Sequence, residues 1–163
     1  MNKTLVNTIS VPTSRTLAVK ESDAVEAVIK QFVKQPDVHT IFIVDEHNKL
    51  KGLVKLHYIL NWVKLKLGIN VVDHSNMRVA GTFHAFEIMK LCQSQTIGDI
   101  ISPAVSVKGD NTMEQALHLM VQEQLLELPV VDDTGKLTGE IRLTQLLAKL
   151  LEKTTETTPT CQL

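Results

Sequence analysis

The chain has 163 residues, of which 44% are hydrophobic and only 4% aromatic, and its formal net charge is −1 at pH 7. This length accommodates one domain or two small packed halves, with an aliphatic core. A charge so near zero provides no electrostatic footprint for nucleic acid or an anionic membrane, and no apolar run is long enough to predict a membrane span. The N-terminus lacks the apolar stretch of a signal peptide, and two isolated cysteines, Cys92 and Cys161, indicate a reducing compartment. We therefore expect a cytoplasmic protein.

The first predicted elements are a short strand and an amphipathic helix. Residues 16–20 form a short apolar run typical of a strand. The next apolar residues recur at helical spacing: Val25, Val28, Ile29, Phe32 and Val33. Asp23 and Glu26 have the spacing of a capping box, in which the first side chain accepts from backbone N–H groups and the glutamate reaches back. We therefore predict that this helix begins just after Asp23.

A hairpin and a second helix follow. Residues 39–45 and 50–55 are β-rich, and the turn between them contains Asn48, a residue type that readily adopts positive φ. Residues 56–67 are predicted to form an amphipathic helix with one apolar face: Leu56, Leu60, Val63 and Leu67. We expect this face to contribute to the core and to self-association. A position on a membrane surface is the less favoured alternative for this helix, which also carries Trp62, Lys64 and Lys66.

The centre and the end of the chain have no counterpart in this pattern. Residues 68–81 have the composition of a loop, residues 82–93 are predicted to form a helix, and residues 96–101 a short capped turn. The tail, residues 154–163, has almost nothing to bury, and we expect it to be mobile.

The second half repeats the first. Residues 45–60 and 132–147 align without a gap, and Asp45, Gly52 and Leu60 recur as Asp132, Gly139 and Leu147. The strand recurs at residues 104–108, the capping pair at Asn111 and Glu114, the β-rich runs at residues 127–132 and 137–142, the turn residue at Gly135, and the last helix at residues 143–152. The helical stripe recurs as Met113, Ala116, Leu117, Met120 and Val121.

An internal repeat determines the architecture, and two copies predict a pair with pseudo-two-fold symmetry. We assign repeat 1 to residues 1–67, an intervening linker and helix to residues 68–95, repeat 2 to residues 96–153 and a flexible tail to residues 154–163.

The repeat resembles the CBS domain, named after cystathionine β-synthase. Residues 96–147 match the family pattern of strand, capped helix, hairpin, glycine and paired hydrophobic residues almost throughout; residues 16–60 match it with Phe42 at the position of Pro129. The resemblance implies an α+β (α/β) fold of two β-α-β-β-α repeats packed with pseudo-two-fold symmetry. It also implies two clefts between the copies, which in many members bind AMP, ADP, ATP or S-adenosylmethionine, dimerisation through the flanking helices, and regulation of a fused or separate protein.

The chain departs from one part of this family pattern. Ligand-binding members often carry Gly-hydrophobic-hydrophobic-Thr/Ser-x-x-Asp, in which the aspartate holds the ribose hydroxyls and the Thr/Ser contacts a phosphate. Here Lys55 and Arg142 replace the Thr/Ser, and Tyr58 and Gln145 replace the aspartate. Loss of that aspartate is expected to weaken a ribose ligand by on the order of a few kcal/mol unless it is replaced. Gln145 is a partial substitute, whereas Tyr58 either stacks on a base or closes the cleft.

Two interpretations of Lys55 and Arg142 are open. Paired bases at symmetric positions attract an anionic ligand such as a phosphate. Alternatively, they are strand-end side chains that pair with Glu140, Asp132 or Asp133 at the surface. The resemblance also implies that backbone groups at residues 102–104 line one cleft. The candidate ligand-binding residues are Lys55, Tyr58, Ser102, Pro103, Ala104, Pro129, Ile141, Arg142 and Gln145.

We predict neither a catalytic nor a metal site. None of the six histidines has a partner at ligand spacing except His74, whose neighbour Asp73 is adjacent to it in the sequence. No glycine-rich phosphate loop or nucleophile elbow is present, and Asp132 and Asp133 open a hairpin. The leading hypothesis is a non-catalytic, homodimeric regulatory module without a cofactor, which senses an adenine nucleotide or another anionic small molecule and acts on a protein partner. The alternative is a structural interaction subunit with degenerate, non-binding clefts.

Overall fold

A computed structural model describes residues 4–67 and 93–156, with side chains up to residue 152. The predicted loop at residues 68–81, all but the last residue of the helix predicted at 82–93, and the tail from residue 157 lie outside the described residues. The predicted α+β class is confirmed. Two compact units are present: one combines Met1–Thr16 with Val105–Leu163, and the other is Leu17–Ala104.

Both units contain the predicted order of strand, helix, strand, strand, helix, and each is completed by an additional two-residue strand. The elements in chain order are β1 (Val11–Pro12), β2 (Leu17–Lys20), α1 (Val25–Phe32), β3 (Ile41–Val44), β4 (Leu50–Val54), α2 (Leu56–Lys66), β5 (Ser102–Pro103), β6 (Val107–Lys108), α3 (Met113–Glu123), β7 (Glu127–Val131), β8 (Leu137–Arg142) and α4 (Leu143–Glu156).

The two units have equivalent four-stranded sheets. In the unit Leu17–Ala104 the strand order is β2-β3-β4-β5, and in the other unit it is β6-β7-β8-β1. The first pair of each sheet is parallel and the remaining pairs are antiparallel. One face of the first sheet packs on α1 and α2 through a hydrophobic core that includes Ile41, Ile43, Val54 and Trp62. Burial of these side chains is the main stabilising term of the unit.

The additional strands, β1 and β5, lie in two segments with no predicted element: β1 precedes the first predicted strand, and β5 lies between the capped turn at residues 96–101 and the strand predicted at residues 104–108. β5 pairs with β4 so that Pro103 lies opposite Gly52, and β1 pairs with β8 so that Pro12 lies opposite Gly139. A short 3₁₀ helix precedes each of them, at Val6–Thr8 and Ile97–Ile100. The N-terminal segment of the chain is therefore the counterpart of residues 96–103.

Gly52 and Gly139 allow these strands to approach closely. A Cβ on Gly52 would overlap the Ser102 carbonyl oxygen and the Ile101 side chain, and a Cβ on Gly139 would overlap the Val11 carbonyl oxygen. The identity of both glycines in the repeat therefore has a steric cause, because only hydrogen leaves room for the neighbouring backbone.

The predicted capping pairs of α1 and α3 are wrong, and for the same reason in both repeats. Asp23 accepts from the Lys20 N–H (2.9 Å) and Asn111 accepts from the Lys108 N–H (2.7 Å), so each closes the turn between strand and helix instead. Such side chains bond to whichever nearby N–H the turn presents. α3 is capped one residue later, by a capping box between Thr112 and Gln115, and α1 has no side-chain cap.

The capped turn at residues 96–101 is confirmed. The Thr96 side chain caps the 3₁₀ helix Ile97–Ile100, and Asp99 reaches back to the Thr96 N–H at 2.9 Å. α4 continues four residues beyond its predicted end to Glu156, since no glycine or proline interrupts it before Pro159.

The hairpin turns are as predicted, with Asn48 at φ 63° and Gly135 at φ 81°. Each turn is closed by an aspartate. One oxygen of Asp45 accepts from the N–H groups of His47 and Lys49 (both 2.9 Å), and one oxygen of Asp132 accepts from the N–H groups at 134 (2.8 Å) and 136 (3.0 Å). The Lys49 N–H is the largest cause of the lowered pKa of Asp45, and the Thr134 hydroxyl of the lowered pKa of Asp132.

Of the apolar stripe predicted for α2, only Val63 packs against the core. Ile59 and Trp62 are buried instead, while Leu60 and Leu67 are 54% and 68% exposed. Trp62 therefore serves the core rather than a membrane surface, and Lys66 lies over its ring at 5.3 Å. Among the described helices, none combines the length and apolarity needed to cross a membrane.

Replacing Gly139 by alanine should destabilise the protein by about 1–3 kcal/mol, because the added methyl displaces the β1 backbone. Gly109→Ala is the matched control: a Cβ there meets only Asn7, at 3.4 Å, so we expect a change within about 0.5 kcal/mol. Urea unfolding measures both variants. Equal stability of the two variants would contradict the close-approach argument.

Acid should weaken the hairpins. Because the folded pKa values of Asp45 and Asp132 lie below their ordinary value of 3.8, their contribution is complete above that pH and is lost as the pH falls through the lowered values. Urea midpoints measured between about pH 7 and about pH 2.5 should therefore fall less steeply for Asp45→Asn/Asp132→Asn than for the wild type. Parallel profiles would show that these carboxylates do not carry the effect.

Candidate functional site

The candidate residues fall into two equivalent groups, one in each unit. We call the first the Lys55 constellation; it consists of Lys55, Tyr58, Ser102, Pro103 and Ala104. The second is the Arg142 constellation, consisting of Pro129, Ile141, Arg142 and Gln145. In each group the base lies at the junction of an antiparallel strand and the following helix. That helix supplies Tyr58 or Gln145, and a neighbouring strand supplies Ser102 and Pro103 in the first group and Pro129 in the second.

In the Lys55 constellation the backbone positions the side chains. Lys55 is the N-cap residue of α2, with φ −75° and ψ 145°, and its carbonyl accepts from the Tyr58 N–H at 3.0 Å. The half-buried Tyr58 ring packs against the core, 4.3 Å from the His57 ring. Beside β4, Ser102 lies opposite Leu53 and is buried, whereas Pro103 and Ala104 are exposed.

In the Arg142 constellation the base has partners within the protein. The Arg142 Nε donates to Glu140 Oε1 at 2.6 Å, and a terminal nitrogen donates to the Arg15 carbonyl at 3.1 Å. The Arg142 side chain is 20% exposed and that of Glu140 is fully buried. The Gln145 side chain accepts from the Arg142 backbone N–H at 3.4 Å, at the start of α4. Both long polar side chains therefore organise this strand–helix junction.

The pairing of Arg142 with Glu140 was one of the two interpretations left open, but the pair is buried instead of lying at the surface. The other acids proposed as partners are engaged elsewhere. Asp133 pairs with Lys108 at 2.8 Å, and Asp132 closes its own turn. The salt bridge to Asp133 is the largest cause of the raised pKa of Lys108.

Sequence reasoning missed the N-terminal members of the Arg142 constellation. Val11 and Pro12 occupy in one sheet the positions of Ser102 and Pro103 in the other, and Arg15 follows in an adjacent 3₁₀ helix. The available signal was the gap-free alignment of residues 5–12 with residues 96–103, which share their last proline. That likeness is too short and too divergent to stand out without the strand pairing.

The sheet register also shows what surrounds each base. Glu140 lies between Pro129 and Val11, and Glu127 lies opposite Arg142. Both glutamates are buried, with 1% exposure or less. In the other sheet the middle position is taken by Leu53, which lies between Phe42 and Ser102. Cross-strand partners share a sheet face, so these neighbours define the chemical surroundings of each base.

Neither metal coordination nor the cavity beside α3 adds to these groups. Within residues 4–67 and 93–156, no three His, Cys, Asp or Glu side chains converge as metal ligands. An open cavity of about 580 Å³ lies beside the N-terminus of α3 and contains no candidate residue. At this N-terminus the Gln115 N–H donates to the Thr112 hydroxyl, and the Thr112 N–H donates to the Gln115 side chain.

Each of the two equivalent α+β units has a mixed four-stranded sheet and a base at the last strand–helix junction. These features place the protein in a class of paired-repeat proteins. The family model for the CBS domain matches residues 8–65 and 97–152, which is more than half of the chain. The chain belongs to the CBS domain family.

Relatives and solved structures agree with this membership. The magnesium transporter MgtE of Thermus thermophilus is 29% identical over 146 residues, which is 86% of this chain but 26% of the transporter. The chain thus spans about a quarter of that relative. The cytosolic domain of the Mg²⁺ channel MgtE in complex with ATP has a TM-score of 0.63 at 24% identity, covering 90% of this chain and 48% of that chain.

Two further structures are similar over almost their whole length. CBSX2, a CBS-pair protein of Arabidopsis thaliana, was solved in complex with AMP; it has a TM-score of 0.69 at 20% identity and covers 92% of this chain and 98% of its own. The CBS domain pair of protein MJ0100, in complex with 5′-methylthioadenosine and S-adenosyl-L-methionine, has a TM-score of 0.66 at 18% identity, covering 93% and 98%. These likenesses establish the fold.

Removing Arg142 should be costly because it leaves the buried Glu140 without its guanidinium. We expect Arg142→Met to destabilise the protein by about 3–5 kcal/mol and Glu140→Leu/Arg142→Met to recover most of that loss. The exposed ion pair between Lys108 and Asp133 provides the control: Lys108→Ala should lower the free energy of unfolding by no more than about 1 kcal/mol. A double-mutant cycle by urea unfolding measures the coupling. A cost for Arg142→Met as small as that for Lys108→Ala would contradict the buried pairing.

Proposed function

We propose that the chain is a non-catalytic regulatory module that binds an adenine nucleotide or another anionic small molecule. Binding takes place at the strand–helix junctions that carry Lys55 and Arg142, and it is transmitted by rearrangement of the repeats or of a dimer to a protein partner. The observation that carries the proposal is the recurrence of a base at the same strand–helix junction of both units, next to a proline-bearing neighbouring strand.

The chemistry at these junctions suits a nucleotide. A lysine ammonium or arginine guanidinium supplies charge-assisted hydrogen bonds to a phosphate. The Tyr58 ring, half-buried beside Lys55, offers an aromatic surface for a base. Relatives support the ligand class, because CBS-pair structures were solved with AMP, with ATP and with S-adenosyl-L-methionine.

A second candidate function has support from one specific observation. Arg142 already donates to Glu140 and to the Arg15 carbonyl, and Gln145 already accepts from the Arg142 backbone. A junction whose polar side chains are engaged in this way fits a structural interaction subunit that binds no ligand. The ligand measurement below separates the two functions.

We also propose that the chain forms homodimers through the exposed faces of α2 and α4. These faces expose leucines at matching repeat positions, Leu60 (54%) and Leu147 (45%), together with Leu56 and Leu151. Isolated surface leucines are ordinary, but a repeated stripe on two helices favours an interface.

Ligand binding should stabilise the folded protein. At about a hundred times its dissociation constant a ligand adds roughly 2.7 kcal/mol, which is a readily measured shift in melting temperature. The panel is AMP, ADP, ATP, S-adenosylmethionine and cyclic dinucleotides, measured by calorimetric melting. No shift with any of them at millimolar concentration would reject nucleotide sensing and leave the structural function.

Charged residues on the proposed dimer face should dissociate the dimer. We expect Leu60→Glu/Leu147→Glu to halve the mass measured by light scattering after gel filtration, because the carboxylates cannot be desolvated without partners. Val33→Glu, at the C-cap of α1 and 68% exposed, is the matched control and should leave the mass unchanged. A wild-type monomer at micromolar concentration, or dissociation by the control alone, would contradict the proposed face.

A further inference from the structure

The two constellations share a backbone frame but not the same polar groups. Three aligned positions around the base differ in charge or polarity. Beside Lys55 they are Thr40, Leu53 and Ser102, and beside Arg142 they are Glu127, Glu140 and Val11. We call each base together with its three residues the Lys55 set and the Arg142 set.

The two sets have formal charges of opposite sign. The Lys55 set combines one cation with two buried hydroxyl side chains, since Thr40 is 3% and Ser102 is 8% exposed. The Arg142 set combines one cation with two buried carboxylate side chains, and the nearer one forms a 2.6 Å ion pair with the base. At the aligned positions the first set has a formal charge of +1 and the second a formal charge of −1.

The binding free energy of a phosphate group differs strongly between these two surroundings. At a lysine with hydroxyl neighbours it gains charge-assisted hydrogen bonds. At the Arg142 constellation it must compete with Glu140 for the guanidinium and then lie beside a buried carboxylate, which raises the free energy of the bound state. A carboxylate surrounding of this kind rejects anions and accepts hydroxyl or cationic donors.

We infer that Glu140 is a specificity-determining residue that excludes phosphate from the Arg142 constellation, so that a phosphate-bearing ligand binds once per chain, at Lys55. The inference rests on the proposed function and narrows it. The Arg142 constellation is left to ligands without an anionic group, or to none.

Calorimetric titration of the full chain with AMP tests this inference. We expect one AMP per chain and at least tenfold weaker binding for Lys55→Gln, whereas Lys108→Gln, a surface lysine paired with Asp133, binds as the wild type does. Glu140→Leu/Arg142→Lys copies Leu53 and Lys55 into the second repeat and should raise the stoichiometry to two. Adenosine, which lacks the phosphate, should lose less than about threefold in affinity on Lys55→Gln, since its binding does not involve that charge.

The outcomes separate the inference from the function on which it rests. Two equivalent AMP sites in the wild type, or a single site that survives Lys55→Gln, would overturn the inference and leave nucleotide sensing intact. No binding of AMP, ADP or ATP would overturn both. If the double variant does not fold, Glu140→Gln keeps the side-chain shape and removes the charge; it should then create a second, weaker AMP site. A stoichiometry that stays at one would contradict the role of Glu140.

Discussion

The close approach of a two-residue strand to a glycine is the constraint on which each unit depends. Pro103 lies opposite Gly52 and Pro12 lies opposite Gly139, and a Cβ on either glycine would overlap the backbone that faces it. Each short strand completes its sheet and brings its proline-bearing segment beside the strand that ends in the base. Because glycine has no Cβ, each short strand can approach closely enough to complete its sheet and to form part of the candidate site.

The sequence was sufficient for the elements whose signals are local and repeated. The helices, the hairpins and the positive φ of Asn48 and Gly135 are found where they were predicted. The predicted capping pairs failed because Asp23 and Asn111 had a nearer N–H to accept from, a competition that spacing alone does not resolve. The face of α2 was misjudged because leucine exposed on a helix has the same periodicity as leucine buried in a core.

The candidate site was predictable only in part. Lys55 and Arg142 are visible as departures from a repeated motif, but their surroundings depend on strand pairing between segments far apart in the chain. From the sequence, Glu140 was predicted only as one of several possible surface partners of the bases. The strand register places it between Pro129 and Val11, where it is buried, and burial strengthens the effect of its charge on a neighbouring ligand. The repeat thus specifies the backbone arrangement that both units share, whereas the residues that differ between the copies give the two candidate sites different chemistry.

The two strand–helix junctions share a backbone arrangement but differ as binding sites for a phosphate. The most direct measurement is a ¹H–¹⁵N correlation spectrum recorded during titration with AMP, which follows the backbone amides of both junctions in one sample. The account predicts saturable shifts at Lys55 and Tyr58, with Arg142 and Gln145 unmoved at the same concentrations. Equal shifts at both junctions, or shifts confined to Arg142 and Gln145, would contradict it.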